Sequence, residues 1–218
     1  MNTFSEENYL KAIFRLSQMP AVTKISTSAI AEALGNNPAS VVDMIRKLTD
    51  KQLIEYDKKK GVKLTTQGQK DAIQIVRKHR LWEVFLLEKL EYRWDEIHDI
   101  AEDLEHIKHI DLADRLDKFL GFPEYDPHGD PIPKANGKMA KSFSASLADG
   151  KTGNTYRVAA VRDTSSAFLQ YLHKLKISIG TQIKLIEQIA FDQSLVISID
   201  NAEPTTVSSK FVENILIS

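Results

Sequence analysis

Four residues on one predicted helix have the types and spacing of metal ligands. Counting from His98, Glu102, Glu105 and His106 follow at i+4, i+7 and i+8, so a helix places all four on one face. The opposite face is apolar and suits packing against a core, with Ile97, Ile100, Ala101 and Leu104. Carboxylates and imidazoles that converge in this way form a nitrogen and oxygen ligand set for a divalent transition metal. The alternative is the solvated polar face of a surface helix, since charged residues are usually exposed.

The composition restricts both the site and the class of protein. The chain has 218 residues and no cysteine. Disulfides, thiolate nucleophiles and cysteine-based zinc sites are therefore excluded, and any metal must bind nitrogen and oxygen. No apolar run is long enough to cross a bilayer, and the polar N-terminus does not resemble a signal peptide. We expect a cytoplasmic protein without a membrane partner.

Charge is segregated along the chain although the net charge is only −1. The stretch from Arg46 to Lys63 is basic, and a second basic cluster lies at Arg77–Arg80. The stretch from Glu91 to Asp117 is acidic. This asymmetry predicts two binding functions, one for an anion near the front of the chain and one for a cation in the middle.

Residues 1–65 have the pattern of a winged helix-turn-helix domain. Three amphipathic helices are predicted, the first capped by Ser5 and the others beginning near Ser26 and Pro38, with Gly35 ending the second. Two alternating segments, Leu53–Tyr56 and Val62–Thr65, follow as strands joined by a lysine-rich turn. The pattern predicts a DNA-binding domain. An interaction module of the same shape without DNA contacts is the alternative.

The third helix and the hairpin turn carry the candidate DNA contacts. The exposed residues at the N-terminal end of the helix are expected to meet base edges: Asn37, Ala39, Ser40 and Asp43. The lysines are expected to contact phosphates without reading sequence: Lys47, Lys58, Lys59 and Lys60.

The rest of the chain predicts two further domains and a linker. A long helix capped by Thr66 and two shorter helices, Asp95–Ile107 and Asp111–Leu120, form a helical domain over residues 66–122, with Trp82, Tyr92 and Trp94 in its core. A Pro-rich linker covers residues 123–143. Residues 144–218 are β-rich, with strands near Tyr156–Val161, Thr181–Ile186, Ser194–Ile199 and Asn214–Ile217 and a short helix near Phe168–Lys174. The fold class is mainly α with a C-terminal β domain.

Two motifs resemble the diphtheria toxin repressor family of metal-dependent transcription regulators. They are the run Arg77–Glu83 followed by His98–His106, and the Pro-rich hinge Asp126–Pro133. The resemblance implies a winged helix, a helical metal-binding and dimerisation domain and an SH3-like small barrel. It also implies a homodimer that represses transcription by binding double-stranded operator DNA when a divalent co-repressor ion is bound, and it implies no enzymatic activity. Control of metal-ion homeostasis is the family's role.

The resemblance also assigns ligand roles. Glu102, Glu105 and His106 match primary-site ligands, and Asn8 matches the ligand from the first helix, where the family usually has Asp or Met. His79 matches a ligand that is primary in manganese-type members and ancillary in iron-type members. The remaining matches are ancillary ligands: Glu83, His98, Asp126, His128 and Asp163.

The metal and two other classes of function stay open at this point. Glu102 and Asn8 supply oxygen where iron-type members carry sulfur, which favours Mn²⁺ over Fe²⁺; Zn²⁺ or Co²⁺ binding is expected only in vitro. A winged-helix regulator of an organic ligand would need no convergent carboxylates. A carboxylate-bridged metalloenzyme would need paired Glu-x-x-His motifs on two helices, which the sequence lacks.

Overall fold

The computed structural model describes residues 2–19 and 22–218, and it divides into two compact units. The first unit contains the described residues up to His79, together with 102–115 and 133–138. The second contains residues 80–101, 116–132 and 139–218. Among the described residues, no helix has the length and apolar character needed to span a membrane.

Three helices begin the first unit: α1 (Phe4–Gln18), α2 (Thr27–Leu34) and α3 (Pro38–Asp50). Ser26 caps α2 and Gly35 ends it in the left-handed conformation, as predicted. The prediction that Ser5 caps α1 is wrong. Thr3 is the cap, because Glu6 stands three residues later and the two close a capping box.

A hairpin of β1 (Ile54–Asp57) and β2 (Gly61–Leu64) forms the wing. The Asp57 carboxylate accepts the N–H groups of Lys59 and Lys60 at 2.7 and 2.8 Å, which shapes the turn. Gly61 has φ +84°, and a Cβ there would lie 2.4 Å from the carbonyl oxygen of Ile25. Glycine therefore allows the wing to pack closely against the segment that precedes α2.

The core of the first unit lies between α1, α2, α3, the wing and the start of the next helix. The predicted inward face of α3 is confirmed, since Val41, Ile45 and Leu48 are almost fully buried. The other central members include Leu10, Ile13, Ile30, Ile54, Val62 and Ala72. The core holds α1, α2, α3 and the wing together in one packed cluster.

Three more helices follow: α4 (Thr66–Leu90), α5 (Ile97–Leu104) and α6 (Leu112–Phe119). The α4 cap is Thr65, whose hydroxyl accepts the N–H of Gly68, and not Thr66. The prediction that α5 continues to Ile107 is wrong, because Glu105 and His106 lie in a turn after Leu104. Tyr92 is also exposed rather than in a core.

The C-terminal part of the second unit is an antiparallel sheet, as expected for an SH3-like domain. Its strands are β3 (Thr155–Val161), β4 (Gln182–Gln188), β5 (Leu195–Ile199), β6 (Thr205–Val207) and β7 (Ile215–Ile217), in the order β6-β5-β4-β3-β7. Register shifts interrupt β3 and β4. A 3₁₀ turn (Leu147–Asp149), α7 (Ser166–Lys174) and α8 (Ser209–Asn214) pack with the sheet around one apolar core.

The hinge segment that contains His128 packs tightly on β3 within the second unit. The N–H of Val161 donates to the carbonyl oxygen of His128 at 2.9 Å. Gly129 has φ +86°, and a Cβ there would lie 2.3 Å from the carbonyl oxygen of Ala159. The glycine therefore permits the close approach that holds His128 in place.

Candidate metal centre and DNA-binding surface

A first cluster of potential ligands, His79, Glu102 and Glu105 with His106, lies in the first unit. Nδ1 of His79 is 2.7 Å from Glu105 and 3.9 Å from Glu102. Nε2 of His106 is 3.5 Å from Glu105. Glu105 is completely buried. A fully buried carboxylate requires a nearby positive charge or several donors, since an isolated buried charge is very costly.

The first helix supplies two charged partners to this cluster that the sequence prediction missed. Lys11 bonds to both Glu102 and Glu105, with its ammonium 2.8 Å from Glu105. Glu7 lies 2.6 Å from Nδ1 of His106. Lys11 shares a helical face with Glu7, four residues before it, and with Asn8, three residues before it, which the resemblance marked as a ligand position. That spacing is the signal by which they could have been found.

Glu7 determines which nitrogen of His106 faces the cluster. An ionised carboxylate only accepts hydrogen bonds, so Nδ1–H of His106 donates to Glu7, and Nε2 of the neutral imidazole keeps its lone pair. Among the described residues, Nε2 of His106 and the side-chain oxygen of Asn8 are buried and make no hydrogen bond. Phe4 covers the imidazole, with ring centroids 3.8 Å apart. A buried imidazole nitrogen and amide oxygen without donors or acceptors of their own fit the coordination of a cation.

A second cluster, Glu83, Asp126 and His128 with His98, lies in the second unit. Glu83 is 3.1 Å from Nδ1 of His98 and 3.6 Å from Nδ1 of His128. Asp126 accepts the N–H groups of His128 and Asp130, which closes the hinge turn. Trp94 stacks on His128 with an interplanar angle of 15°. The three central residues are all buried.

The electrostatics of the second cluster favour an added cation. Burial, and then the nearby negative charge of Glu83, raise the pKa of Asp126 to about 7. Burial opposes protonation of His128, but its interaction with Glu83 and the charge of Asp126 raise its pKa overall. Arg80 lies 3.4 Å from Asp126 and offsets part of the repulsion. A divalent ion would relieve the crowding of two buried carboxylates.

The structure corrects how the predicted ligands are grouped. His98 lies in the second unit, where its Nδ1 is 3.1 Å from Glu83, and among the described residues it is not in the ligand group that contains Glu102 and Glu105. Asp163 is in none of the clusters of potential ligands found among the described residues; its carboxylate accepts the N–H of Ser165 before α7. The ligand role of Asp163 stays a prediction.

The predicted base-reading positions lie on the outer face of α3. Ala39, Ser40 and Asp43 are exposed. The side-chain oxygen of Asn37 caps α3 by accepting the N–H of Ala39 at 2.9 Å, and its amide nitrogen can still donate to a base. Val42, which the sequence prediction did not name, is half exposed on α3 beside Asp43 and is a further candidate for contact with a base.

The predicted phosphate contacts divide into two kinds. Lys58, Lys59 and Lys60 are exposed on the wing turn. Lys47 is half exposed, and its ammonium lies 3.0 Å from the buried carboxylate of Glu6. Burial opposes ionisation of Glu6, but hydrogen bonds from Lys51, Thr3 and Lys47 lower its pKa to about 2.

Comparisons with known proteins agree with this architecture. Residues 1–62 match the family model described as the iron-dependent repressor N-terminal DNA-binding domain. Residues 65–134 match the iron-dependent repressor metal-binding and dimerisation domain. Residues 145–218 match the FeoA domain.

Individual proteins similar to this chain are transcriptional regulators and metal-dependent repressors. The transcriptional regulator MntR of Oceanobacillus iheyensis is 34% identical over 122 residues, which cover 56% of this chain and 81% of that protein. The iron-dependent repressor IdeR of Mycobacterium leprae is 34% identical over 127 residues, 58% of this chain and 54% of its own length. A solved manganese-dependent transcriptional repressor in complex with manganese is 36% identical, with a TM-score of 0.86 over 97% of this chain and 98% of that one.

The winged helix followed by a helical metal-binding domain and a small β domain defines a metal-dependent DNA-binding repressor. The chain belongs to the diphtheria toxin repressor family, which includes the manganese-responsive and iron-responsive regulators.

Proposed function

We propose that this chain is a Mn²⁺-activated homodimeric repressor of metal-uptake genes that acts on operator DNA in the cytoplasm. Asn8 and the first cluster form one metal site, and the second cluster forms another. Fe²⁺ is the alternative co-repressor, and Zn²⁺ and Co²⁺ are expected to bind in vitro.

One observation carries the proposal: the first cluster and its partners combine residues from the DNA-binding segment with residues from the metal-binding segment. Glu7 and Lys11 lie on α1, within the segment that matches the DNA-binding domain. Glu102, Glu105 and His106 lie in the segment that matches the metal-binding domain. All five are in contact within one compact unit. Ion binding at this cluster therefore acts directly on the helix that begins the DNA-binding segment.

The donor set supports Mn²⁺ as the co-repressor. Glu102, Glu105 and Asn8 offer hard oxygen atoms, and His79 and His106 offer imidazole nitrogen. Mn²⁺ is the weakest binder of the divalent series, so a site for it must rely on oxygen ligands and geometry. The named relatives include both manganese- and iron-dependent repressors, which keeps Fe²⁺ as the second candidate.

The residues of the first cluster are able to make DNA binding depend on the ion. A bound divalent cation would supply positive charge between the carboxylates of Glu102 and the buried Glu105 and the two imidazoles. Glu7 holds His106 in the required orientation, and α1 carries Glu7 and Asn8 toward the cluster. Shifting a two-state equilibrium from 1:99 to 99:1 requires about 5.5 kcal/mol of differential binding. Two sites in each chain make that value attainable.

The DNA side of the proposal rests on α3 and the wing. In a homodimer the two α3 helices enter successive major grooves, about 34 Å apart. Ser40 and Asp43 read base edges there, and Lys58, Lys59 and Lys60 contact phosphates.

The test compares DNA binding by the purified protein in Mn²⁺ with binding in excess EDTA. The probe is a duplex selected from random sequences by the Mn²⁺-loaded protein, and metal content is measured by elemental analysis. We expect two ions per chain at saturation and loss of specific binding on chelation. Equal affinity in EDTA would exclude a metal-activated repressor and leave the organic-ligand regulator as the better account.

A further inference from the structure

The buried Glu6 makes a contact that neither metal binding nor base reading explains. Its side chain is fully buried, and its carboxylate lies 3.0 Å from the ammonium of Lys47 and 2.8 Å from that of Lys51. Both lysines belong to the C-terminal end of α3, as its last-turn residue and its C-cap. Glu6 therefore joins the first turn of α1 to the end of the helix that carries the base-reading residues.

The neighbouring residue makes the corresponding link to the first cluster. Glu7 lies 2.6 Å from Nδ1 of His106. Successive residues of a helix point about 100° apart, so one turn of α1 presents Glu6 to α3 and Glu7 to the cluster. The capping box between Thr3 and Glu6 makes this turn a single hydrogen-bonded unit.

We infer that Glu6 is a positioning residue that transmits ion binding at the first cluster to α3. A change in the position of Glu7 and His106 moves the first turn of α1, and the Glu6 ion pairs carry that change to Lys47 and Lys51. Because α3 is a rigid helix packed on one face, fixing its C-terminal end fixes the exposed residues at its N-terminal end. The inference rests on the proposed function, since it names the path by which Mn²⁺ raises DNA affinity.

Two variants test the inference by breaking the ion pair between Glu6 and Lys51, one at each of the two residues. Glu6→Gln removes the charge but retains an amide oxygen for the N–H of Thr3. Lys51→Met removes a partner without changing α1. The matched control is Glu32→Gln, since Glu32 is an exposed glutamate on α2. For each protein, Mn²⁺ binding is measured by calorimetry, and DNA affinity is measured with and without Mn²⁺ on the same selected duplex.

We expect Glu6→Gln and Lys51→Met to bind Mn²⁺ like the wild type but to lose much of the activation ratio, the DNA affinity with Mn²⁺ divided by that without. Coupling energies between sites commonly correspond to about 5- to 150-fold, so the ratio should fall by roughly tenfold. The control variant Glu32→Gln should keep the wild-type activation ratio. If Glu6→Gln does not fold, the result for Lys51→Met decides.

Three outcomes would overturn the inference. In the first, the variants retain the wild-type activation ratio. In the second, they bind DNA more tightly by the same factor with and without Mn²⁺, which would mean that Glu6 only withholds Lys47 from phosphate. In the third, the lost activation is matched by equally weakened Mn²⁺ binding. If the wild type itself shows no Mn²⁺ dependence, the proposed function fails first, so the two failures are distinguishable.

Discussion

Replacing Lys11 by Met should destabilise the metal-free protein and strengthen its binding of Mn²⁺. The Lys11 ammonium bonds to both Glu102 and Glu105, and its side chain is only 8% exposed. It therefore supplies the positive charge that two of the proposed ligands need when no ion is bound. Methionine preserves much of the aliphatic volume but leaves the carboxylates without this charge.

The expected loss of stability follows from the burial of the ion pairs that Lys11 makes with Glu102 and Glu105. Removing one partner of a buried ion pair costs about 3 to 5 kcal/mol. The lower value applies here, because Glu102 is 31% exposed although Glu105 is fully buried. About 3 kcal/mol corresponds to a fall of roughly 6 to 12 °C in Tm for a chain of this size. Mn²⁺ restores the missing charge, so its affinity should rise by up to roughly 100-fold.

The assay is thermal unfolding in EDTA and in saturating Mn²⁺, together with calorimetric Mn²⁺ titration. Lys11→Arg retains the charge and should behave much more like the wild type than Lys11→Met. Lys89→Met, which removes an exposed lysine beside Glu88, should change stability by less than about 1 kcal/mol. Unchanged stability in EDTA together with unchanged or weaker Mn²⁺ binding by Lys11→Met would refute the reasoning.

Three further predictions concern the wing and the two clusters. Alanine at Lys58, Lys59 and Lys60 should weaken binding to all DNA sequences about equally and lower the salt slope by about 0.9 for each lost phosphate contact; a loss of discrimination between the selected duplex and random DNA at an unchanged slope would mean that the wing reads bases. Glu102→Cys should weaken activation by Mn²⁺ more than by Fe²⁺ or Co²⁺ in anaerobic DNA-binding assays, because thiolate prefers softer ions; a wild-type response to every metal would place Glu102 outside the coordination sphere. His128→Ala should reduce the Mn²⁺ content from two ions to one in elemental analysis, and retention of both would remove the second cluster as a site.

Much of the fold could be predicted from local sequence signals. Ser26 and Gly35 bound α2 by ordinary capping chemistry, and the period of Val41, Ile45 and Leu48 identified the buried face of α3. The strand β6 (Thr205–Val207) and the helix α8 (Ser209–Asn214) were missed. Each has only three to six residues and is too short for a periodic pattern.

The candidate site was only partly predictable, because long-range packing decides its grouping. Helical spacing correctly brought Glu102 and Glu105 together, but it also placed His98 with them, since spacing cannot show that His98 contacts Glu83. The helix ends at Leu104 without a glycine or proline signal, where Glu105 and His106 turn to contact Lys11 and Glu7. Those contacts join residues more than 90 positions apart, and no local pattern encodes them.

The most direct test of the central claim is a Mn²⁺ titration of DNA binding by the wild type beside the double variant Glu105→Gln, His106→Ala. Fluorescence anisotropy of the selected duplex gives the affinity at each Mn²⁺ concentration, and sedimentation shows whether both proteins have the same oligomeric state. We predict that the wild type gains affinity steeply with Mn²⁺, whereas the variant keeps the same oligomeric state and stays at the metal-free affinity throughout. A variant that is activated by Mn²⁺ as the wild type is would contradict the claim that ion binding at the first cluster controls DNA binding.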